Sequence, residues 1–270
     1  MDSLKGARVA LLEARMTGEM ADLVRRYEGD PYSVPAVREA PREGGQGGFF
    51  IDALVNKKLQ IVVFFTGVGV TALLREAEHS NQLPAVLSAL REITVISRGP
   101  KPATVLRRNE IPIAANAVEP YTTHELLAAI APFDVQNVNV GVVHYGERGV
   151  FLMEELQKRG AIINEVCLYE WLLPPDISGM QELIRELLAG HVDAIVFTSQ
   201  IQARHLFLIA QEMGVADELK QALKDKTIVA SVGPTCTAVM QQLGVTPHVE
   251  PEHPKMGHLM KTLAHYYGEQ

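Results

Sequence analysis

The chain repeats itself with a period close to half its 270 residues. Val9-Ala10-Leu11-Leu12 and Val142-Val143-His144-Tyr145 are followed by Arg15 and Arg148, 133 positions apart. Val63-Phe64-Phe65-Thr66 matches Ile195-Val196-Phe197-Thr198 at an offset of 132. Ser97-Arg98-Gly99-Pro100 matches Ser231-Val232-Gly233-Pro234 at 134, and Val118-Glu119-Pro120 matches Val249-Glu250-Pro251 at 131. Four alignments at nearly one period predict two copies of one β/α unit.

The elements of that unit are visible in the hydrophobic pattern. Ala7–Glu13 predicts a short buried strand, and Met16–Tyr27 a helix with Met20, Leu23 and Val24 on one face. A break at Glu28-Gly29-Asp30-Pro31 precedes a second short run ending Val34-Pro35-Ala36-Val37. Further strands are predicted at Ile61–Thr66, Ile93–Ser97, Val138–Tyr145, Ile162–Leu168, Ala194–Ser199, Thr227–Val232 and Val245–Val249. Helices between them include Val70–Glu78, Phe151–Arg159, Gln181–Ala189, Gln202–Met213 and Pro234–Leu243. Strands this apolar need helices on both faces, so the fold class is α/β with two flavodoxin-like parallel-sheet domains.

Two stretches interrupt the rhythm. Residues 38–50 hold Pro41, Gly44, Gly45, Gly47 and Gly48, and residues 171–176 hold Pro174 and Pro175. Both read as linkers. No such break occurs near the midpoint. The spacing therefore predicts one discontinuous domain, 1–37 with 177–270, a second at 51–170, and a two-strand linker joining them. Doubly wound sheets bind ligands beyond the carboxyl ends of their strands, so a cleft between the domains is the expected site.

Composition narrows the ligand. Lys and Arg number 25 against 32 Asp and Glu, a formal charge of −7. Without a basic patch, neither nucleic acid nor an anionic membrane is an expected partner. Cys167 and Cys236 alone make neither a disulfide framework nor a spaced metal site. The N-terminal residues lack a signal-like apolar run, and no uncharged stretch approaches the roughly 20 residues of a membrane span. The expectation is a soluble, cytoplasmic protein.

Candidate binding residues lie in loops after the strands. Thr66, Gly67, Val68 and Gly69 leave a strand and open a helix, where glycines admit a ligand and amide groups attract anions. A plain tight turn fits this stretch as well. Thr198, Ser199 and Gln200 occupy the matching place. Arg98, Gly99 and Lys101 pair with Gly233, Pro234 and Thr235, and each set starts a helix with proline at an early helical position. Arg98 and Lys101 add cations suited to a carboxylate-rich ligand. Thr122 and Thr123 also precede a helix, where one of them reads equally well as its N-cap. Tyr169 ends a strand beside the second linker, which places its phenol at cleft and hinge, or packs it against Trp171. His248, His253 and His258 straddle different elements and read as loop histidines. No Ser/His/Asp or Cys/His nucleophilic set is apparent.

Taken in order along the chain, several stretches resemble the uroporphyrinogen-III synthase family. They are Phe64–Val70, Ser97–Lys101, His144-Tyr145-Gly146, Gly160-Ala161 running to Leu168-Tyr169, Val192–Ser199 and Val232–Thr235. The resemblance implies two α/β domains joined by a two-strand connector, with the active site between them. It implies no cofactor and no metal, a monomer, and a small-molecule linear tetrapyrrole as substrate. That substrate, hydroxymethylbilane, carries eight carboxylates. Its terminal hydroxyl departs, and the last ring is inverted through a spiro intermediate as the macrocycle closes. The family's tyrosine credited with assisting hydroxyl departure falls on Tyr169. Its substrate-contacting loop falls on Gly233-Pro234-Thr235, where Cys236 replaces a second threonine found in some members. Arg15, Tyr145 and Gly146 complete the expected contact set.

Two rivals are weighed by the repeat. A racemase with one cysteine per half would need Cys167 and Cys236 to be mates, yet their mates are Val34 and Pro102. A hinged, non-catalytic small-molecule-binding module in the cytoplasm is the remaining alternative.

Overall fold

Strands and helices alternate from end to end in the computed structural model, which describes residues 2–42, 46–144, 146 and 148–269. The order begins β1 (Arg8–Leu11), α1 (Thr17–Arg26), β2 (Asp30–Ser33), β3 (Arg38–Pro41) and α2 (Gln46–Val55). Next come β4 (Ile61–Phe64), α3 (Gly67–His79), α4 (Leu83–Glu92), β5 (Thr94–Ser97), α5 (Pro100–Arg108), β6 (Ala115–Asn116) and α6 (Thr123–Ile130). The middle of the chain forms β7 (Asn139–Val143), α7 (Val150–Lys158), β8 (Ile162–Val166), β9 (Tyr169–Leu172) and α8 (Ser178–Ala189). It closes with β10 (Ala194–Phe197), α9 (Gln200–Glu212), α10 (Ala216–Asp225), β11 (Ile228–Ser231), α11 (Pro234–Gln242) and α12 (Met256–Glu269).

The chain divides into two compact units, Met1–Arg38 with Leu172–Gln270, and Glu39–Trp171. The first holds the parallel sheet β11-β10-β1-β2 and the second the parallel sheet β6-β5-β4-β7-β8. Strands β3 and β9 pair in a sheet of their own and carry the chain across the two boundaries.

Under the repeat, β10, β11, β1 and β2 correspond to β4, β5, β7 and β8, and these four strands run in the same order in both sheets, with β6 added at the edge of the second. The β1-α1-β2 segment of the first half therefore completes the sheet built from the second half. Likewise β7-α7-β8 completes the sheet begun by β4 and β5. Each half of the chain lends its opening βαβ to the other.

Helices cover both faces of each sheet, and this is why the strands show no alternation in sequence. In β4, Val62 and Phe64 pack with Phe50, Leu54, Leu73 and Leu90 from α2, α3 and α4. Ile61 and Val63, with Phe65 just beyond, face the other way onto Leu126, Ile130, Leu152 and Leu156 of α6 and α7. In the first unit Val9, Leu11, Ala194 and Val196 pack against Met20 and Val24 of α1 and Leu259 and Leu263 of α12.

Several boundaries differ from expectation. Residues 38–50 are not one linker: Arg38–Pro41 is a strand, and Gly47 and Gly48 belong to α2. A Cβ on Gly47 would stand 2.8 Å from Glu76 Cγ and 2.9 Å from Leu168 Cδ2, so this glycine lets a helix pack closely. Gly44 and Gly45 lie outside the described residues. Strand β2 starts at Asp30, inside the expected break, and the chain beyond it stays tied to β1 through Val34 N–H to Leu11 O (2.9 Å) and Ala36 N–H to Leu12 O (3.2 Å). The strand expected at Val245–Val249 reduces to a single bridge between Val249 and Ala230. Pro247 has no N–H to give, and the His248 ring Nδ1 accepts the Val229 N–H at 3.0 Å.

Candidate functional site

The loops at the carboxyl ends of β4, β5 and β7 bring together most of the predicted residues of the second unit. Thr66 caps α3 in an extended conformation, its Oγ1 accepting the Gly69 N–H at 3.0 Å. Thr71 Oγ1 donates to Gly67 O at 3.0 Å and tightens the same turn. Gly67 is there for close approach: a Cβ would lie 2.9 Å from the backbone oxygen of Lys101. A Cβ on Gly69 would meet Val143 Cγ1 at 3.2 Å. Loop 66–69 is thus wedged between the β5–α5 and β7–α7 loops.

Tyr169 does not end a strand of the main sheet. That strand, β8, stops at Val166, and Tyr169 opens the connector strand β9. Its hydroxyl is 2.7 Å from Thr66 Oγ1, and its ring meets Trp171 edge-on at 5.4 Å between centroids. The residue is 2% exposed. The packing beside Trp171, one of the two expectations for this residue, is present, and the contact with the loop after β4 is one that spacing did not suggest. Trp171 in turn lies over Gly146, where a Cβ would fall 2.1 Å from the indole Cδ1. Gly146 has φ of +75°, in the left-handed region that favours glycine. Tyr145 lies outside the described residues.

The turn after β5 is held from within. Ser97 is fully buried, and its Oγ donates to Gly99 O at 2.8 Å. Arg98 Nε–H donates to Tyr121 O at 2.9 Å, and the guanidinium carbon lies 5.5 Å from the Phe65 ring centroid. Lys101 is exposed. Helix α5 begins on Gly99 with Pro100 at its first position and no side-chain cap. By contrast Thr122 is spent on a capping box with Glu125, whose Oε2 accepts the Thr122 N–H at 2.8 Å. The Thr122 hydroxyl bond holds the Glu125 carboxyl below its ordinary pKa. Thr123 follows as the first residue of α6.

In the first unit the same loops recur with different partners. Thr198 Oγ1 donates to Glu13 Oε2 at 2.7 Å, and Gln202 Oε1 accepts the Thr198 N–H at 2.8 Å and the Ser199 N–H at 3.3 Å. Gln200 opens α9 half-buried, and Arg15 stands exposed beyond β1. Helix α11 repeats the design of α5: Gly233 at the cap, Pro234 first, no side-chain cap, and Ser231 Oγ reaching Gly233 O at 3.3 Å. Thr235 follows, half-buried. The Cys236 thiol points inward, 3% exposed, and burial pushes its pKa up to about 11.

Sequence reasoning did not single out one network beside this edge. Buried His144 has Nε2 at 2.9 Å from Glu165 Oε2, and its Nδ1 accepts the Gly149 N–H at 3.3 Å. Arg148 Nε–H donates to both Glu165 oxygens at 2.9 and 2.8 Å. Burial holds the His144 pKa below its ordinary value, and the Arg148 hydrogen bond does the same for Glu165. The one available signal was a histidine and a carboxylate inside otherwise apolar strands. Among the described residues no three His, Cys, Asp or Glu side chains are grouped as metal ligands, and no helix is long and apolar enough to cross a membrane.

Comparisons with known proteins agree with this architecture. The chain is 30% identical over 267 residues to a Bacillus subtilis (strain 168) protein named Uncharacterized protein YjjA, covering 99% of this chain and 98% of that one. A crystallised triple mutant of uroporphyrinogen III synthase from the extremely thermophilic bacterium Thermus thermophilus superposes with a TM-score of 0.78 at 22% identity, over 98% of this chain and 100% of that one. Uroporphyrinogen-III synthetase from Helicobacter pylori 26695 superposes with a TM-score of 0.58 at 14% identity, over 98% and 99% of the two chains. The family described as Uroporphyrinogen-III synthase HemD matches residues 18–261. Two parallel α/β units joined by a paired two-strand connector, carried by a sequence that fits this family nearly throughout, make the chain a member of the uroporphyrinogen-III synthase family.

Proposed function

We propose that the protein cyclises hydroxymethylbilane to uroporphyrinogen III, inverting the last pyrrole ring through a spiro intermediate with loss of water. The observation that carries this reading is the duplicated helix start: α5 and α11 each begin on an extended glycine, then proline, with no side-chain cap. The first-turn amides of Lys101 and Thr235 then lie outside the intrahelical ladder at the positive end of a helix dipole, where a carboxylate is favoured. Each such start, one per unit, suits the carboxylates of an anionic ligand. Arg98 and Lys101 supply positive charge beside the first of them.

Little acid–base machinery is needed, because a linear tetrapyrrole held in near-attack geometry closes by its own reactivity. As the hydroxymethyl C–O bond breaks, the pyrrole supplies the electrons that form the azafulvene, and a proton from Tyr169 completes the departing water. The substituted carbon of the last ring attacks, the spiro intermediate reopens and recloses, and the proton lost on rearomatisation restores the phenol. Since Tyr169 is 2% exposed, its cover must move before substrate reaches it. The reading assigns no cofactor, a single chain as the working form, and the cytoplasm as its place.

That burial also favours the second reading, a binding module without catalysis. Supplying the purified chain with freshly made hydroxymethylbilane separates the two. The synthase reading expects the type-III isomer, whereas tight tetrapyrrole binding with type-I product alone would support the binding module.

A further inference from the structure

We propose that Glu13 is a substrate-binding residue whose carboxylate accepts a pyrrole N–H of the bound tetrapyrrole. The inference rests on the substrate class proposed above and names one contact within it. Glu13 follows β1, and Thr198 follows β10, the strand beside it. From β1 the chain crosses to β2 on one side, and from β10 it crosses to β11 on the other, so these two strands flank the point where the sheet reverses its winding. Ligands of doubly wound sheets bind in the crevice beyond the strand ends at that point.

A buried amide fixes the carboxylate in that place. Gln202, in the first turn of α9, is 3% exposed. Its Oε1 accepts the Thr198 N–H at 2.8 Å and the Ser199 N–H at 3.3 Å, so its nitrogen is the end that donates to Thr198 Oγ1 at 2.9 Å. Thr198 gives its one hydroxyl proton to Glu13 Oε2 at 2.7 Å, and Glu13 Oε1 accepts the Arg15 N–H at 3.2 Å. A carboxylate has about four lone-pair sites, which leaves about two for a ligand. Glu13 is half-buried, and the ion pairs among the described residues do not include it. At the repeat's offset of 133 its mate is Gly146, and at 132 the mate of Gln202 is Val70. The second unit therefore has neither the acid nor the buried amide that orients it. Beside a polyanion an unneutralised carboxylate repels, and it favours binding only where the ligand offers a donor. A linear tetrapyrrole offers carboxylates and, on every ring, an N–H. The N–H is the group that Glu13 can take.

The sign of the effect separates this role from a structural one. Removing a negative charge that only holds the loop leaves affinity for a polyanion unchanged or raises it, whereas removing the acceptor of a pyrrole N–H lowers it. Uroporphyrinogen III, prepared chemically and titrated anaerobically at low salt, is the probe. Its Kd is expected to rise about tenfold in Glu13→Ala, and by less in Glu13→Gln, whose neutral oxygen still accepts from Thr198. With the 15N-labelled probe, one pyrrole N–H resonance is expected to move downfield on binding to the wild-type chain and to stay nearer its free position on the Ala variant. Unchanged or tighter binding by Glu13→Ala overturns the proposal. So does a wild-type complex in which every pyrrole N–H keeps its free-ligand shift, a result that needs no variant to fold, and so does a wild-type chain that does not bind the probe. Type-III product with unchanged affinity in the variants would remove Glu13 alone. Type-I product with weakened binding in the variants would remove the synthase reading and keep this contact.

Discussion

Tyr169 and Thr66, 103 residues apart in the chain, meet hydroxyl to hydroxyl at 2.7 Å. One opens the connector strand and the other caps the helix that follows β4, so the contact joins a crossing segment to the loop edge of a sheet. Replacing Tyr169 with Phe keeps the ring edge against Trp171 and removes only the hydroxyl. Stability is expected to fall by about 1 kcal/mol, while kcat falls on the order of a hundredfold. Thermal unfolding and steady-state rates on the same preparation check both. Full turnover with a large loss of melting temperature would assign Tyr169 to packing alone.

Gly146 and Gly6 share a left-handed backbone, φ of +75° and +79°, but only Gly146 is enclosed. An alanine Cβ at Gly146 would collide with the Trp171 indole, whereas nothing lies within 4 Å at Gly6. Gly6→Ala is expected to cost about 1–2 kcal/mol of backbone strain, and Gly146→Ala roughly 3 kcal/mol or more from strain and overpacking together. Urea unfolding of the two variants compares them. Equal losses would contradict the packing of Trp171 on Gly146.

His144 carries its proton on Nε2, facing Glu165, because Nδ1 accepts the Gly149 N–H. Burial depresses its pKa in the folded state, with Glu165 opposing and Arg148 reinforcing that shift. The unfolded chain therefore binds more protons just below neutrality. The stability due to a neutral His144 is present above about pH 6.5 and is lost as pH falls from there through the folded value. Glu165, depressed by Arg148, weakens the fold only at lower pH, below the ordinary glutamate range. In His144→Gln the first decline is expected to flatten and the second to remain, as read from denaturant midpoints across the acid range. Parallel profiles for both proteins would remove His144 from this role.

Arg98 is tethered by its Nε to Tyr121 O and held near the Phe65 ring, which fixes the direction of its guanidinium. Arg98→Ala is expected to weaken binding of the tetrapyrrole product about tenfold at low salt, with Arg98→Lys falling between the two. Anaerobic calorimetric titration measures this. Unchanged affinity in the Ala variant would place Arg98 outside the binding surface.

What could be read from the chain and what could not follow from different physics. The repeat pairs mark equivalent places in the two units: Phe64 and Val196 lie in β4 and β10, and Gly99 and Gly233 start α5 and α11. Strand ends were less legible, because residues such as Phe65 and Val232 stay apolar past the ends of β4 and β11 while their N–H groups still reach Val143 O (3.2 Å) and Phe197 O (2.9 Å) of the neighbouring strands. Gly47 and Gly48 resembled a flexible link, yet a glycine that admits a neighbouring helix and one that frees the backbone look alike in sequence. The loop candidates Thr66, Gly67, Gly69, Arg98 and Gly99 do gather at one edge, since they follow adjacent parallel strands. The bond from Tyr169 to Thr66, and the His144–Glu165–Arg148 network, depend on chain segments brought together only by folding, and spacing carries no trace of them.

The most direct test is the isomer ratio formed when this chain alone acts on hydroxymethylbilane, resolved after oxidation to the porphyrins. A predominance of the inverted-ring macrocycle, lost in Tyr169→Phe, is the expected result. Nothing but the uninverted isomer, at the same rate as in buffer without protein, would contradict it.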